Sequence, residues 1–407
     1  MNQSYQQLLH CLEVEAPRSQ MVVDPLRTLA YGTDASFYRL IPQIVVKADS
    51  ERDVRRILTN CSQLRTPVTF RAAGTSLSGQ AVTDSVLVIA GGNWNRHEIL
   101  DGGERIRLQP GVIGAQANRY LAGYGRKIGP DPASINAAMI GGIAANNASG
   151  MCCGTDQNSY QTVDSMRIVL ADGALLDTGS ARSRERFAQS HGALLERLTT
   201  LGKAVRENEP LAERIRRKFK IKNTTGYSLN ALVDFTDPFD IIDHLMIGSE
   251  GTLGFISEIV YRTVVEHAFK ASALMVFTRM ENACSTAALL KQMPVAAVEL
   301  MDRAALHAVE NKPAMPAYLK QLSPGATALL VETRAEAVND LRTQVQALTG
   351  AIEDALLERP IAFTDRARDF NRLWNIRKGL FPAVGAVRKS GTTVIIEDVA
   401  FPIDALA

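Results

Sequence analysis

Over residues 68–79 the chain reads VTFRAAGTSLSG, an apolar run followed at once by two glycines and three hydroxyl residues. Gly74 and Gly79 permit a left-handed backbone, so successive N–H groups can converge on an oxyanion while Thr75, Ser76 and Ser78 add hydroxyl donors. The chemistry offered is diphosphate binding at the end of a strand. Read alone, such a turn is more often a plain connection between strands.

Two further small-residue tracts follow. At 128–154, IGPDPASINAAMIGGIAANNASGMCCG places Gly141, Gly142, Ala144, Ala145, Asn146, Asn147, Ala148, Ser149 and Gly150 where core-forming bulk is missing. Either a flat ligand lies against that backbone or two helices cross tightly there. At 247–259, IGSEGTLGFISEI spaces Gly248, Gly251 and Gly254 over seven positions, again calling for backbone close to a ligand or another segment. The six histidines, His10, His97, His191, His244, His267 and His307, show no H-x-H or HExxH spacing, so no metal site is expected. Five cysteines at irregular spacing fit a reducing compartment, and the adjacent Cys152 and Cys153 read as packing residues.

The elements that must hold these tracts begin with a helix at 5–14 and a strand at 42–48. Ser50 and Asp53 then form a capping pattern for a helix with Val54, Ile57, Leu58 and Cys61 at helical spacing. Strands at 68–70 and 86–90 bracket the first loop. Familiar phosphate loops put a helix directly after their glycines. A strand follows here, and GK[ST] and G-x-G-x-x-G are absent, so neither a Walker-type ATPase nor a Rossmann dehydrogenase is supported. Further on come a strand at 105–110, a turn and helix at 111–124, and strands at 163–170 and 174–178 joined by Asp172-Gly173. Helices at 191–208 and 211–219 lead into RIRRKFKIK, 214–222, which reads as a solvated helix face. After a strand at 255–264 the pattern from residue 269 alternates strand and helix, as in the split β-α-β sheet of ferredoxin-like domains. A helix at 365–378 and a strand at 392–399 follow, and the terminal FPIDALA resembles the first turn of a helix cut before it can pack.

With 407 residues, 46% of them apolar, the chain supports two or three domains. Forty-five basic against forty-three acidic residues give +2, so no bulk field recruits nucleic acid or an acidic membrane. No run approaches the ~20 apolar residues of a membrane span, and the N-terminus lacks a signal-peptide pattern, so a cytoplasmic location is expected. Peripheral contact with the inner face of the plasma membrane has only RIRRKFKIK behind it.

In this order and spacing, the three tracts resemble the FAD-binding domain of the vanillyl-alcohol oxidase and p-cresol methylhydroxylase superfamily. Within it they are similar to the FAD-linked D-2-hydroxyacid dehydrogenases, of the respiratory D-lactate dehydrogenase type that joins a flavin half to an iron–sulfur half. ELMDRAAL at 299–306, LWNIRKGLFPAVG at 373–385 and IIEDVAFP at 395–402 resemble the corresponding cap-domain motifs. The resemblance implies an α+β chain: a lead-in over 1–37, a two-subdomain FAD-binding domain of the p-cresol methylhydroxylase type over 38–266, and an incomplete ferredoxin-like cap domain over 267–407.

It further implies that Arg71, Gly74, Thr75, Ser76, Leu77, Ser78 and Gly79 hold the FAD diphosphate. Pro130, Asp131, Ser134, Gly141, Gly142, Asn146 and Gly150 would line the flavin and ribityl portion, and Glu250, Gly251, Leu253, Gly254 and Ile256 the adenine side and ring edge. A histidine carries covalent flavin in some relatives at the position of Thr75, so non-covalent FAD is expected. Arg377 offers a planar fork for the substrate carboxylate, the alternative being a structural salt bridge on its helix, and Trp374 is read as core. The implied reaction is oxidation of a D-2-hydroxy acid, D-lactate foremost, to the 2-oxo acid, with electrons passing to a quinone or iron–sulfur acceptor. The family's histidine stretch and any iron–sulfur cluster would lie in a C-terminal part beyond this chain. A non-catalytic FAD-binding subunit or fragment, and a same-fold flavin oxidase of other specificity, remain alternatives.

Overall fold

The computed structural model describes residues 3–15, 20–150, 152–224, 226–311, 315–353, 355–378 and 389–392. The strand expected beyond Thr392, the IIEDVAFP motif and the part of LWNIRKGLFPAVG beyond Lys378 lie outside them. Two compact units divide the chain, Met1–Val265 and Glu266–Ala407.

In the first unit, a four-stranded sheet runs in the order Met21–Val22, Ile44–Lys47, Val86–Ile89, Val68–Arg71. The last three strands are parallel. A parallel pair needs a crossover of a dozen or more residues, usually helical. The helix Glu51–Gln63 makes the first crossover, burying Val54, Ile57, Leu58 and Cys61, and Ser50 Oγ caps it by accepting from the Asp53 N–H at 3.2 Å. Residues 72–85 make the second without any helix, which puts the Gly/Ser loop at the carboxyl end of the sheet. The helix Gln3–Glu15 packs on Glu51–Gln63 and sinks Leu8 and Leu12 into the same core, so residues before 38 supply a helix and an edge strand.

The second sheet has six antiparallel strands around the twelve-residue Gly254–Val265. His97–Leu100 pairs with Arg105–Leu108, Arg105–Leu108 and Arg126–Ile128 pair with Gly254–Val265, and Val163–Leu170 links its other side to Leu175–Asp177. Two of these, His97–Leu100 and Arg126–Ile128, escape the sequence reading because neither has an apolar alternation long enough to register. The helix Ala181–Glu207 starts ten residues before the expected position, and the non-helical φ of −125° at His191 marks where the sequence pattern resumes.

Both sheets of this unit share a core. Val169 and Phe255 of the second sheet pack among Val86, Val88 and Trp94 beside the first. Arg167 clamps Glu51 with two bonds, Nε to Oε1 at 2.5 Å and Nη2 to Oε2 at 2.8 Å, and Ser257 Oγ adds a third at 2.7 Å.

In the second unit, Thr327–Ala335 lies antiparallel between Phe269–Phe277 and Ala297–Met301, the split β-α-β arrangement. The helices Met280–Leu290 and Val338–Ala351 cover it through Ala283, Ala287, Leu290 and Leu348. Trp374, on the helix Ala367–Lys378, is 6% exposed and donates from Nε1 to Glu332 Oε2 and, at 3.3 Å, to Ser272 Oγ. It is a core residue.

Candidate functional site

The loop after Val68–Arg71 takes the conformation its glycines allow, with φ of +68° at Gly74 and +80° at Gly79. At Gly79 a Cβ would stand 3.0 Å from Tyr38 Cδ2, so the ring of Tyr38 seats against this turn. Gly74 O accepts from Ala35 N at 3.0 Å, making residues 31–38 a wall of the loop that the sequence reading left without a role. Within that wall, Asp34 accepts from Ser36 N at 2.8 Å through Oδ1, while Oδ2 is buried and unpaired. Thr75 and Leu77 are half-buried and Ser78 is exposed. Ser76 donates its hydroxyl to Gln80 Oε1 on the exposed side of the loop. Arg71 lies beneath the loop, 8% exposed, donating from Nε to Ala81 O at 2.7 Å and from Nη2 to the same oxygen. Its guanidinium therefore pins the loop's far end, and burial lowers its pKa.

The second tract contains the short helix Ile140–Asn146, ended by Asn147 at φ +51°. Gly141 packs on Pro110, its N–H donating to Pro110 O at 2.9 Å, and Gly142 is exposed with Ala72 Cβ as the nearest neighbour of a built Cβ, at 3.9 Å. The start of this helix thus sits beside the first loop. Pro130 is buried and Ser134 half-buried, its carbonyl accepting from the N–H groups of Ala137 and Ala138, both at 2.8 Å. Asp131 accepts from Cys153 N at 3.1 Å and Cys152 N at 3.2 Å, with Lys127 Nζ at 4.0 Å. At Gly150 a Cβ would fall 1.8 Å from Asp131 Oδ1, so only glycine permits this approach. Asp131 and Gly150 are therefore a fastening between the ends of the tract. Cys153 is buried beside it, and burial, then the Asp131 charge, push its thiol up to about 11.

The third tract closes on both others. Glu250, at φ +53°, donates its N–H to Ala145 O at 2.8 Å and accepts from Asn146 Nδ2 through Oε1 at 2.6 Å. Burial raises its carboxyl pKa against the pull of that bond. Gly251 faces Phe70 of the strand that feeds the first loop, at 3.4 Å from a built Cβ. Gly254 makes room for the Val169 carbonyl across the sheet, 2.9 Å from a built Cβ, while Ile256 is buried in the second sheet's core with Leu253 packed against it. Gly254 thus serves strand pairing, and the side chains of Ile256 and Leu253 serve packing.

One glycine-lined region of the first unit accordingly gathers residues from three distant stretches, and its positive-φ turns, with open space over Gly142, suit a diphosphate and a flat ring. Residues 42–179 match the FAD binding domain family. Residues 266–407 match the C-terminal domain of FAD linked oxidases. The chain thus carries matches to two domains, an FAD binding domain and, after it, the C-terminal domain of FAD linked oxidases. The chain is 25% identical over 403 residues to D-2-hydroxyglutarate dehydrogenase of Pantoea ananatis, covering 93% of the chain and 39% of the relative. It is also 25% identical over 375 residues to the mitochondrial D-lactate dehydrogenase [cytochrome] of Arabidopsis thaliana, covering 90% and 54%. Among solved structures, alkyldihydroxyacetonephosphate synthase matches with a TM-score of 0.62 at 14% identity, over 94% of this chain and 65% of that one. The chain thus spans about two fifths of the first of these relatives.

In the second unit, Arg377 donates from Nε to Glu299 Oε2 at 2.8 Å. The arginine and the ELMDRAAL glutamate, read separately in the sequence, are partners. Among the described residues no group of three or more His, Cys, Asp or Glu side chains could hold a metal, and no helix is long and apolar enough to cross a membrane.

Proposed function

We propose that this chain holds FAD non-covalently in its first unit and serves the oxidation of a D-2-hydroxy acid, D-lactate, to the 2-oxo acid. The observation that carries the reading is the junction of the 72–85 loop with the Gly142 face of the helix Ile140–Asn146 at the carboxyl end of a parallel sheet. Ligands bind at that end of such sheets. When bound, FAD supplies the acceptor for the C2 hydride of the acid.

The chain's own residues bind and orient. Backbone N–H groups of Gly74, Thr75, Leu77, Ser78 and Gly79, with the Thr75 and Ser78 hydroxyls, hold the diphosphate. Thr75 has no ring nitrogen to bond the flavin covalently. Pro130, Ser134, Gly141, Gly142 and Asn146 line the flavin and ribityl side, and Glu250 and Gly251 the adenine side. Glu299 fixes the Arg377 guanidinium through Nε, which leaves the terminal nitrogens to grip a carboxylate in a bidentate fork. Electrons then leave to a quinone or an iron–sulfur partner.

D-2-hydroxyglutarate is the second reading, favoured by the relative that matches 93% of the chain. Anaerobic bleaching of the flavin bands decides: D-lactate should bleach them, L-lactate should not, and faster bleaching by D-2-hydroxyglutarate would transfer the assignment. Acid precipitation should release the flavin into the supernatant, and a coloured pellet would refute non-covalent binding.

A further inference from the structure

Side chains along the three strands of the second unit alternate between two faces of the sheet. Ala273, Met275, Leu329 and Val331 point to the side covered by the helices Met280–Leu290 and Val338–Ala351. Ser272, Glu332 and Glu299 therefore point to the other side, since Ser272 pairs with Glu332, and Glu299 pairs with Leu330, two positions away. Diagonal neighbours of this kind on adjacent strands stand about 7–8 Å apart. Two carboxylates thus share one face, and each holds a residue of the helix Ala367–Lys378.

Glu332 is 3% exposed. Its Oε2 accepts from Trp374 Nε1 and, at 3.0 Å, from Ser272 Oγ, while its Oε1 accepts from Arg334 Nε at 2.6 Å. Glu299 Oε2 takes the Nε of Arg377. Trp374 and Arg377 are three residues apart, about 4.5 Å along the axis and neighbours on the helix surface. The helix is therefore fastened at two points, its indole to the middle strand Thr327–Ala335 and its guanidinium to the outer strand Ala297–Met301.

Stability alone does not call for a carboxylate at position 332. Exchanging a buried ion pair for apolar side chains of similar volume is often neutral or stabilising, because desolvation offsets the Coulomb attraction. What a fully bonded carboxylate adds is direction, and a polar network with every member satisfied rigidifies one arrangement. Rotation of this helix would displace the Arg377 guanidinium, whose terminal nitrogens must meet both oxygens of a carboxylate at once. Such a contact tolerates little misplacement.

We propose that Glu332 and Trp374 are positioning residues for the substrate carboxylate, their bond setting the rotation of the helix that carries Arg377. The inference rests on the reading of Arg377 as the carboxylate fork.

FAD-loaded protein is titrated anaerobically with D-lactate and, in parallel, with D-2-hydroxyglutarate, following the flavin bands, in a cycle of wild type, Trp374→Phe, Arg377→Lys and the double variant. Phenylalanine keeps an aromatic ring and loses the N–H donor. Trp374→Phe should raise the half-saturating acid concentration about three- to tenfold, within the range of coupling between side chains that act as a unit, with FAD affinity unchanged. On the Arg377→Lys background it should add nothing, because the fork it orients is already gone. Glu332→Gln keeps an oxygen for the indole and should give a smaller rise; it carries the same cycle if Trp374→Phe does not fold. A half-saturating concentration that stays put while the melting temperature falls, or a rise that persists in full beside Arg377→Lys, overturns the positioning role and leaves the reading of Arg377 standing. Arg377→Lys without effect on either titration refutes the fork and this inference with it, and bleaching by neither acid overturns the D-2-hydroxy acid reading itself.

Discussion

Asn146 donates from Nδ2 to Glu250 Oε1 at 2.6 Å, joining the end of the second glycine tract to the turn of the third across 104 positions of sequence. Glu250 does this from φ +53°, a left-handed conformation that costs an L-residue roughly 1–2 kcal/mol. Glu250→Ala and Glu250→Gly both delete the bond, but only glycine relieves the backbone. The glycine variant should therefore be the more stable of the two by about 1 kcal/mol, with both binding FAD more weakly than wild type. Thermal melts and FAD titrations check this, and an alanine variant as stable as the glycine one would contradict it.

The relation between the two sheets of the first unit depends on Glu51. Burial alone would raise its carboxyl pKa, but the Arg167 and Ser257 hydrogen bonds outweigh burial and hold it below the usual glutamate range. A depressed pKa contributes stability above the unfolded value, about 4.3, that is lost as pH falls through the folded one. Glu51→Gln should lower stability by about 1 kcal/mol at neutral pH, the pair being partly exposed, and the loss should vanish in acid. Denaturant melts between pH 3 and 7 measure both limbs.

Much of this architecture was legible because its signals are local. The Ser50–Asp53 cap, the Asp172-Gly173 hairpin and the two positive-φ glycines of the first loop follow from backbone chemistry within a few residues. What the sequence hides is pairing at a distance. Arg71 and Asp131 have partners that no spacing announces, Ala81 O and the amides of Cys152 and Cys153. Asp34 carries no spacing signature, and only its unpaired Oδ2 draws notice.

At Gly150 the fit is tight enough to predict chemistry nearby. A Cβ would stand 1.8 Å from Asp131 Oδ1 and 2.0 Å from Asp131 O, and the second of these is backbone that cannot swing away. Gly150→Ala should cost about 3 kcal/mol or more and open the fastening. Cys153, 2% exposed with its thiol pushed to about 11, should resist iodoacetamide at pH 7.5 in the wild-type protein and react in the variant. Peptide mapping after alkylation reads the result, and equal labelling of Cys153 in both proteins would refute it.

Asp243 is 2% exposed, accepts from Thr178 Oγ1 through Oδ2 at 2.7 Å and has nothing on Oδ1. Burial raises its pKa well above the ordinary aspartate value. In the unfolded chain it ionises near pH 4, so its contribution is greatest below that pH and falls as pH rises towards the folded value. Asp243→Asn removes the ionisation while keeping the shape. The variant should melt above wild type at pH 7 to 8, with the difference closing towards pH 4, and a constant difference across that range would exclude ionisation as its source.

Arg377 and Glu299 give the sharpest test of substrate binding. The 2.8 Å bond at Nε orients the guanidinium, and a lysine can supply the charge without the planar fork. If the terminal nitrogens grip the carboxylate, Arg377→Lys should raise the half-saturating D-2-hydroxy acid concentration for flavin bleaching by roughly 10–150-fold, as expected for charge-assisted bonds of about 1.5–3 kcal/mol. FAD affinity should not change, because the diphosphate loop belongs to the other unit. Glu299→Gln keeps an acceptor for Nε and should cost far less than Arg377→Lys, whereas Glu299→Ala frees the fork and should weaken the acid without touching FAD. If Arg377 were only half of a structural ion pair, Arg377→Lys and Glu299→Ala would instead lower the melting temperature together and leave the bleaching titration where it was.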